Sequence, residues 1–385
     1  MRKNLLKLAA VSSAALMALS AGTVNAAAAS ATTVYDVKLS SYTSTTGDAG
    51  AGLRNAALAV QAKSGWQGGT IYVDGAYTVT TQVQLDELVG AATPSNQQRV
   101  WNKVRLVGSG VGASKLKKTT DGAMFYMGRI DVCRASGTNP CQYAGVYLEN
   151  LGYSNMGFET TGTSWIWQID SGAITTSQWQ SIRADVRGNG GVMYVGRNNT
   201  GKGGGQYHTN SWRDTRLERH SKTSSYPMFR FVSAHNYING NVFDTGWWHG
   251  HGHDRTPFLE MRPSGGNTPS NSGQYTNTTF RAITGEQNLG GLIHLFGGNG
   301  ISMTTVVDWD GICPGYRSSI IAVNPNGSTA SRSFSISGSG TIAHSNYAPV
   351  RNGARSLWVD PSTVGVSTGG SPLNQAIPKT GTGTC

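Results

Sequence analysis

The sequence predicts an all-β fold, one domain wound as a parallel β-helix, and three observations carry that expectation. Of 385 residues 52 are Gly and only 13% are charged; the charge is about half the globular norm of roughly 25%, so polar helical surfaces are scarce. An apolar–x–apolar triplet recurs as Phe125-Tyr126-Met127, Trp167-Gln168-Ile169, Met193-Tyr194-Val195, Phe229-Arg230-Phe231, Leu259-Glu260-Met261, Ile293-His294-Leu295 and Ile321-Ala322-Val323. A second strand alternates with it, opening on Leu148, Ile182, Trp212, Ile238, Phe280 and Met303, with Gly/Ser/Asn loops between. Each unit is too small to bury its own apolar residues, so neighbouring units must stack. With 38% hydrophobic residues a large core is available, and Gly with Pro stays below the roughly 25–30% of low-complexity chains. A helical bundle, a coiled coil and a mostly disordered chain are thereby excluded. A β-sandwich would show Asn-Gly hairpin turns between its runs, and few occur.

From the N-terminus, residues 1–26 read as a secretory signal peptide. Arg2, Lys3 and Lys7 are basic, Leu8 to Ala21 is apolar, and Val24-Asn25-Ala26 offers a small-residue cleavage site. The apolar part is shorter than the roughly 18–20 residues a membrane span needs. The expectation is a secreted, extracellular protein without a membrane partner. Removing the basic residues of the leader lowers the formal charge from +11 to +8, which favours anionic partners. Basic residues are scattered, with Lys115, Lys117 and Lys118 the one tight cluster, unlike the stripe or tail of a nucleic-acid binder. An anionic polysaccharide is the expected partner, nucleic acid is not, and a monomer is expected. In an oxidising compartment the four Cys can pair. Proximity suggests Cys133 with Cys141 and Cys313 with Cys385, among three possible connectivities, and no CxxC spacing points to zinc.

Leu53, Ala56, Ala57 and Val60 fall on one face of a short helix, and Asp48 lies just upstream, where a carboxylate suits a helix start. Gly68-Gly69-Thr70-Ile71-Tyr72-Val73 then opens a strand. Together with Asp36-Val37 and Gly47-Asp48-Ala49-Gly50, these segments resemble the opening of pectate-lyase-like right-handed β-helix proteins. Val104-Arg105-Leu106-Val107-Gly108-Ser109-Gly110 and Val146-Tyr147-Leu148-Glu149-Asn150-Leu151 resemble coil strands of that family, while its Asp-Asp pair is replaced by Ala51-Gly52. The resemblance implies a single-domain right-handed parallel β-helix over residues 27–355 with long side loops. A segment of about 34–78, including the short helix, would cap the first coil, and a Gly/Thr-rich C-terminal tail, 356–385, would pack on the outside. It further implies a protein of the class that holds polysaccharide lyases, glycoside hydrolases, uronate epimerases and phage tailspikes.

Side chains alternate along a strand, so apolar flanks pointing inward turn the middle of each triplet outward. Tyr126, Gln168, Tyr194, Arg230, Glu260 and His294 should form one outward column, with Asp170 and Arg262 two residues further on. Loops at 196–210, 219–227, 244–256 and 263–277 would wall a groove suited to an extended chain. An ordinary solvated face would favour Thr, Ser, Asn and Lys instead. Two more outward sets, Arg183, Arg213 and Arg281, and Glu218, Asp244 and Glu286, read as structural ion ladders. In the run Trp247-Trp248-His249-Gly250-His251-Gly252-His253-Asp254-Arg255, either Trp could stack on a sugar. Its alternating His have metal-ligand chemistry, but a Gly-rich loop would not fix their geometry.

The expected reaction is β-elimination on a uronic-acid polymer. It requires neutralisation of the sugar carboxylate, a base for the C5 proton and an acid for the leaving oxygen. Tyr194 suits the acid, and Arg230, His294 or Lys222 the base. Gln168 and Arg262 suit the carboxylate, while Tyr126, Glu260, Trp247 and Trp248 would contact substrate. A calcium-dependent version needs clustered carboxylates, so with only 20 acidic residues no catalytic metal or other cofactor is expected. The alternatives are a glycoside hydrolase pairing Glu260 with a second carboxylate (Asp170, Asp244 or Asp254) and a non-catalytic glycan-binding β-helix.

Overall fold

The computed structural model describes residues 35–90, 98–128, 146–196, 205–221, 226–233, 237–251, 256–263 and 278–288, with further strand segments up to 377. Three strands make each full coil. In one of them Ala173–Thr175 joins a five-stranded side sheet, Gln178–Val186 a fifteen-stranded long sheet, and Gly191–Val195 a ten-stranded front sheet. Pairing between coils is parallel and in step: Phe125, Trp167, Met193 and Phe229 are successive partners. This is a parallel β-helix.

The second repeated strand of the sequence is in fact two. Leu148 and Ile238 lie in the side sheet, whereas Ile182, Trp212, Phe280 and Met303 lie in the long sheet. Both strands carry an inward apolar residue, and the corner between them is one left-handed residue that leaves no hydrophobic signature. Asn150, Thr176, Thr209 and Gly240 occupy that corner with positive φ. A second left-handed column, Asn155, Ser181, Asp214, Thr245 and Ala282, bends each long strand midway. Both geometries are unfavourable for most side chains, so coil stacking must impose them. At the first corner, buried amides take up backbone groups that would otherwise lack partners. Asn210 Nδ2 donates to the Ile174 carbonyl (3.0 Å) and Asn241 Nδ2 to the Tyr207 carbonyl (2.9 Å). Asn210 Oδ1 accepts from the Ser177 amide (2.9 Å).

An aromatic stack runs down the core. Tyr153, Trp179, Trp212, Phe243 and Phe280 lie face to face at centroid separations of 5.6, 4.7, 6.3 and 5.0 Å. Trp167, from the front sheet, meets Trp179 and Trp212 edge-on at 5.9 and 5.7 Å. All six are buried.

Helix α1 (Ala49–Ser64) plugs the first coil with Leu53, Ala56, Ala57 and Val60, all without exposure. Asp48 caps it: one carboxylate oxygen accepts from the amides of Gly50 (3.0 Å), Thr80 (2.9 Å) and Thr81 (3.1 Å). Burial alone would raise the Asp48 pKa, but these hydrogen bonds overrule it and hold the carboxyl well below the usual range. Gly50 is required because a methyl there would lie 2.0 Å from the Thr81 carbonyl oxygen. Gly65, at φ 61°, ends the helix.

At the other end, Leu357–Val359 and Ala376–Ile377 add two rungs to the front sheet, and Val366–Ser367 pairs with Phe334–Gly338. The described strands within 356–385 therefore continue the spiral instead of covering it; each is only two or three residues long, which hides the repeat. The surface ladders also regroup. Arg213, Asp244 and Arg281 share one column, with Asp244 and Arg281 ion-paired. Arg183 aligns with Arg216 and Trp247, and Glu218 with Asp185, His249 and Glu286. The proposed leader 1–26, Lys222 and all four cysteines (Cys133, Cys141, Cys313, Cys385) lie outside the described residues.

Two stability measurements check this account. Trp212→Ala should lower the unfolding free energy by about 3–5 kcal/mol in denaturant titration, as expected for a large buried aromatic. Asp48→Ala should cost about 1–2 kcal/mol at neutral pH. Because the folded pKa of Asp48 is depressed, that gap should be full above about pH 4 and close as pH falls further.

Candidate functional site on the front sheet

The front sheet aligns Gln84, Tyr126, Gln168, Tyr194, Arg230, Glu260 and His294 as direct partners on successive rungs. At about 4.8 Å per rung, Tyr126 to His294 spans about 24 Å, room for several sugar units. The six residues of the sequence column are thus brought into one line. Ala322 and Trp358 extend it beyond His294.

Asp170 stands at the chemical centre. It follows Ile169, whose rung partners Met127 and Val195 precede Gly128 and Gly196. A methyl on Gly128 would sit 2.1 Å from the Tyr126 hydroxyl, and one on Gly196 2.1 Å from the Tyr194 hydroxyl. Each phenol therefore lies down over a glycine, Tyr126 within hydrogen-bond reach of Asp170 and Tyr194 on the rung that follows Gln168. The Tyr126 hydroxyl donates to Asp170 Oδ2 (3.2 Å), as does Gln168 Nε2 (2.9 Å). Asp170 Oδ1 is buried and has no hydrogen-bond partner. Burial raises the Asp170 pKa, and the bonds from Gln168 and Tyr126 only partly offset it, so its neutral form persists to higher pH than usual. Tyr126 is pushed up to about 12, first by burial and then by the negative charge of Asp170.

Arg230 Nε donates to Glu260 Oε1 at 3.1 Å, with side-chain exposures of only 19% and 5%. The Arg230 guanidinium also lies 5.2 Å from the ring centroid of Tyr226. Trp165 sits 5.6 Å from Tyr194 and 5.9 Å from Tyr226, forming an aromatic ledge beside the column. His294 is nearly buried, three rungs from Tyr194, or about 14 Å along the stack. Tyr194 and His294 therefore cannot serve as acid and base for the same sugar linkage.

Asp86 was not found from the sequence. It is fully buried, accepting from Gln84 Nε2 and from the Gly128 amide (2.8 Å), two rungs from Asp170 in the same row. The signal was present, since Val83-Gln84-Leu85 is itself an apolar–x–apolar triplet one coil before the recognised series.

The remaining sequence candidates lie elsewhere. Arg262 pairs with Val232 along the front sheet. Trp247 and Trp248 belong to strand Val242–His249 of the long sheet, not to a loop beside the column. Trp248 has no exposure and stacks on Phe258 at 5.0 Å, so a substrate contact there is corrected to a core role. Strand alternation turns Trp247 outward on that other face, where the Arg216 guanidinium lies 4.3 Å from its ring centroid.

No family model and no curated protein match the chain. Among solved structures it is similar to Geobacillus virus E2 ORF18, with 13% identity and a TM-score of 0.49, covering 84% of this chain and 61% of that one. It is also similar to the tailspike protein of E. coli bacteriophage HK620 in complex with a pentasaccharide (10% identity, TM-score 0.42, 85% of this chain and 67% of that one). A third is the A-module of the Azotobacter vinelandii mannuronan C-5 epimerase AlgE4 (11% identity, TM-score 0.32, 86% and 93%). The chain thus spans about three fifths of the ORF18 protein.

Arg230→Met removes the cation beside a nearly buried carboxylate and should cost about 3 kcal/mol in denaturant titration. The double variant Arg230→Met/Glu260→Leu should recover more than half of that loss. Equal instability of the single and double variants would count against the ion pair as the cause.

Proposed function

We propose that the front-sheet column binds and cleaves an anionic polysaccharide, and that the protein is a secreted lyase acting on a uronic-acid polymer by metal-independent β-elimination. The observation that carries this reading is Asp170, whose Oδ1 is buried and unpartnered while Oδ2 is held by Tyr126 and Gln168, and whose pKa burial raises. In its neutral form Asp170 donates through Oδ1 to the carboxylate of the bound uronate, and the second amide hydrogen of Gln168 is available to assist. Neutralising that carboxylate acidifies the C5 proton. Lys222 is the sequence candidate for the base that removes it. The C5–H electron pair becomes the C4–C5 double bond, the C4–O4 bond breaks, and O4 takes the proton of the Tyr194 hydroxyl. Arg230, already engaged with Glu260, is assigned to binding the next uronate instead of proton transfer.

Asp170 also favours a second reading, glycoside hydrolysis, in which its proton goes to the glycosidic oxygen. That reaction requires a second carboxylate within about 9.5 Å. Glu260 is three rungs away, and Asp86, two rungs away, is fully buried.

The test incubates the protein with alginate, polygalacturonate and glucuronan, following near-ultraviolet absorbance and reducing ends together. Elimination produces both signals, hydrolysis only reducing ends, and a non-catalytic glycan binder neither. Tyr194→Phe should lower elimination by about 10²–10⁴-fold. Asp170→Asn keeps a neutral hydrogen-bond donor, so at least a tenth of the activity should remain. Wild-type activity should fall as pH rises through the elevated pKa of Asp170, and the Asn variant should lose that alkaline limb. Abolition of cleavage by Asp170→Asn, with no absorbing product from the wild type, would replace the lyase by the hydrolase.

A further inference from the structure

We infer a site for a divalent transition metal of the zinc class, formed by Glu218, His220 and His251 on the long sheet, independent of the front-sheet column. Glu218 and His220 are two residues apart at the end of strand Ser211–Arg219, so both project from the same face. His220 prolongs the ladder, its amide donating to the Val186 carbonyl at 2.8 Å. His251 comes from the next coil, two residues beyond His249, which is the rung partner of Glu218. Its backbone adopts φ 51°, a conformation rarely taken by a non-glycine residue, and one that turns the ring back toward Glu218.

The donor atoms converge. One ligand atom from each of the three residues lies within 4.8 Å of the others. His251 Nε2 is 3.1 Å from Glu218 Oε2, and His220 Nε2 is 3.5 Å from the same oxygen. Ligands bound to Zn²⁺ at about 2.0–2.2 Å in a tetrahedron are themselves about 3.4 Å apart, so little movement is needed to admit the ion. The two oxygens of Glu218 divide their work: Oε1 accepts from Arg216 Nε (2.5 Å) and pairs with Arg183 (3.0 Å), leaving Oε2 turned to the imidazoles. His220 Nε2 is buried without a hydrogen-bond partner, and Asp185 Oδ1 lies 3.6 Å from it. Two histidines and a carboxylate are a ligand set that leaves a fourth position for water or a further oxygen. The rigidity a Gly-rich loop would lack comes from the strand that carries Glu218 and from the hydrogen bond that holds the adjacent His220 amide to Val186.

Such an ion would bridge consecutive coils and fix the segment after His249. The full chain, stripped with chelator, should bind one equivalent of Zn²⁺ with a rise in Tm. Co²⁺ should give visible d–d absorption, and His220→Ala and His251→Ala should each weaken Zn²⁺ binding more than 100-fold and remove that spectrum. A missing ligand should exceed the roughly 10–100-fold cost of losing an outer partner. Should an alanine variant fail to fold, as judged by circular dichroism, His220→Gln replaces it. Absence of stoichiometric Zn²⁺ uptake by the wild type, or a variant that binds Zn²⁺ and Co²⁺ as the wild type does, would overturn the site. Polysaccharide cleavage is measured separately, so either result leaves the front-sheet reading intact.

Discussion

One rung per coil is the constraint on which everything else depends. Once Tyr153, Trp179, Trp212, Phe243 and Phe280 stack, the long strands carrying them are held in step. A shift of one residue would turn every inward aromatic to solvent and every outward polar group into the core. The outer surface is therefore made of columns that the inner surface dictates. Residues about 30 positions apart in the chain become neighbours, and chemistry that needs several groups in a row is assembled without any local motif.

The two polar assemblies use that geometry differently. On the front sheet, Gly128 and Gly196 leave room for the phenols of Tyr126 and Tyr194 to lie over them, and Asp170 beside Tyr126 has one oxygen buried from water. Partial dehydration then does for a carboxyl what a neighbouring charge would otherwise do, favouring its neutral form. On the long sheet, Arg183 and Arg216 keep Glu218 ionised and direct its second oxygen to His220 and His251. Burial opposes ionisation of both carboxyls; the arginines overrule it at Glu218, whereas the neutral donors Gln168 and Tyr126 only partly offset it at Asp170.

Legibility of the sequence followed the same logic. The triplets were readable because their flanks, such as Met193 and Val195, must be apolar, and from them the alignment of Tyr126 through His294 followed. What escaped was whatever depends on a corner or on an absent side chain. Thr176 and Thr209 turn the chain without any apolar mark, so the side and long sheets merged into one repeat. Trp248 could not be told from Trp247 until the strand was known to run through both. The seating of Asp170 rests on two glycines among 52, and nothing in sequence distinguishes those from turn residues. Asp86 lies beyond a strand of only two residues, Val83–Gln84, so short that it marks its coil only faintly in the sequence. Glu218 and His220 sit far in sequence from the histidine run that invited attention, and only pairing between coils joins them to His251.

A spiral of parallel strands has a raw N-terminal end whose unpaired backbone groups could recruit another chain. Among the described residues the N-terminal edge strands are Asp36–Lys38, Ala76–Thr78, Val83–Gln84 and Tyr147–Glu149, none longer than three residues, with α1 packed against the first three. So short a template offers few hydrogen bonds to an incoming strand. The same helix that completes the first coil thus also covers apolar residues that the last rung of an open spiral would leave in water.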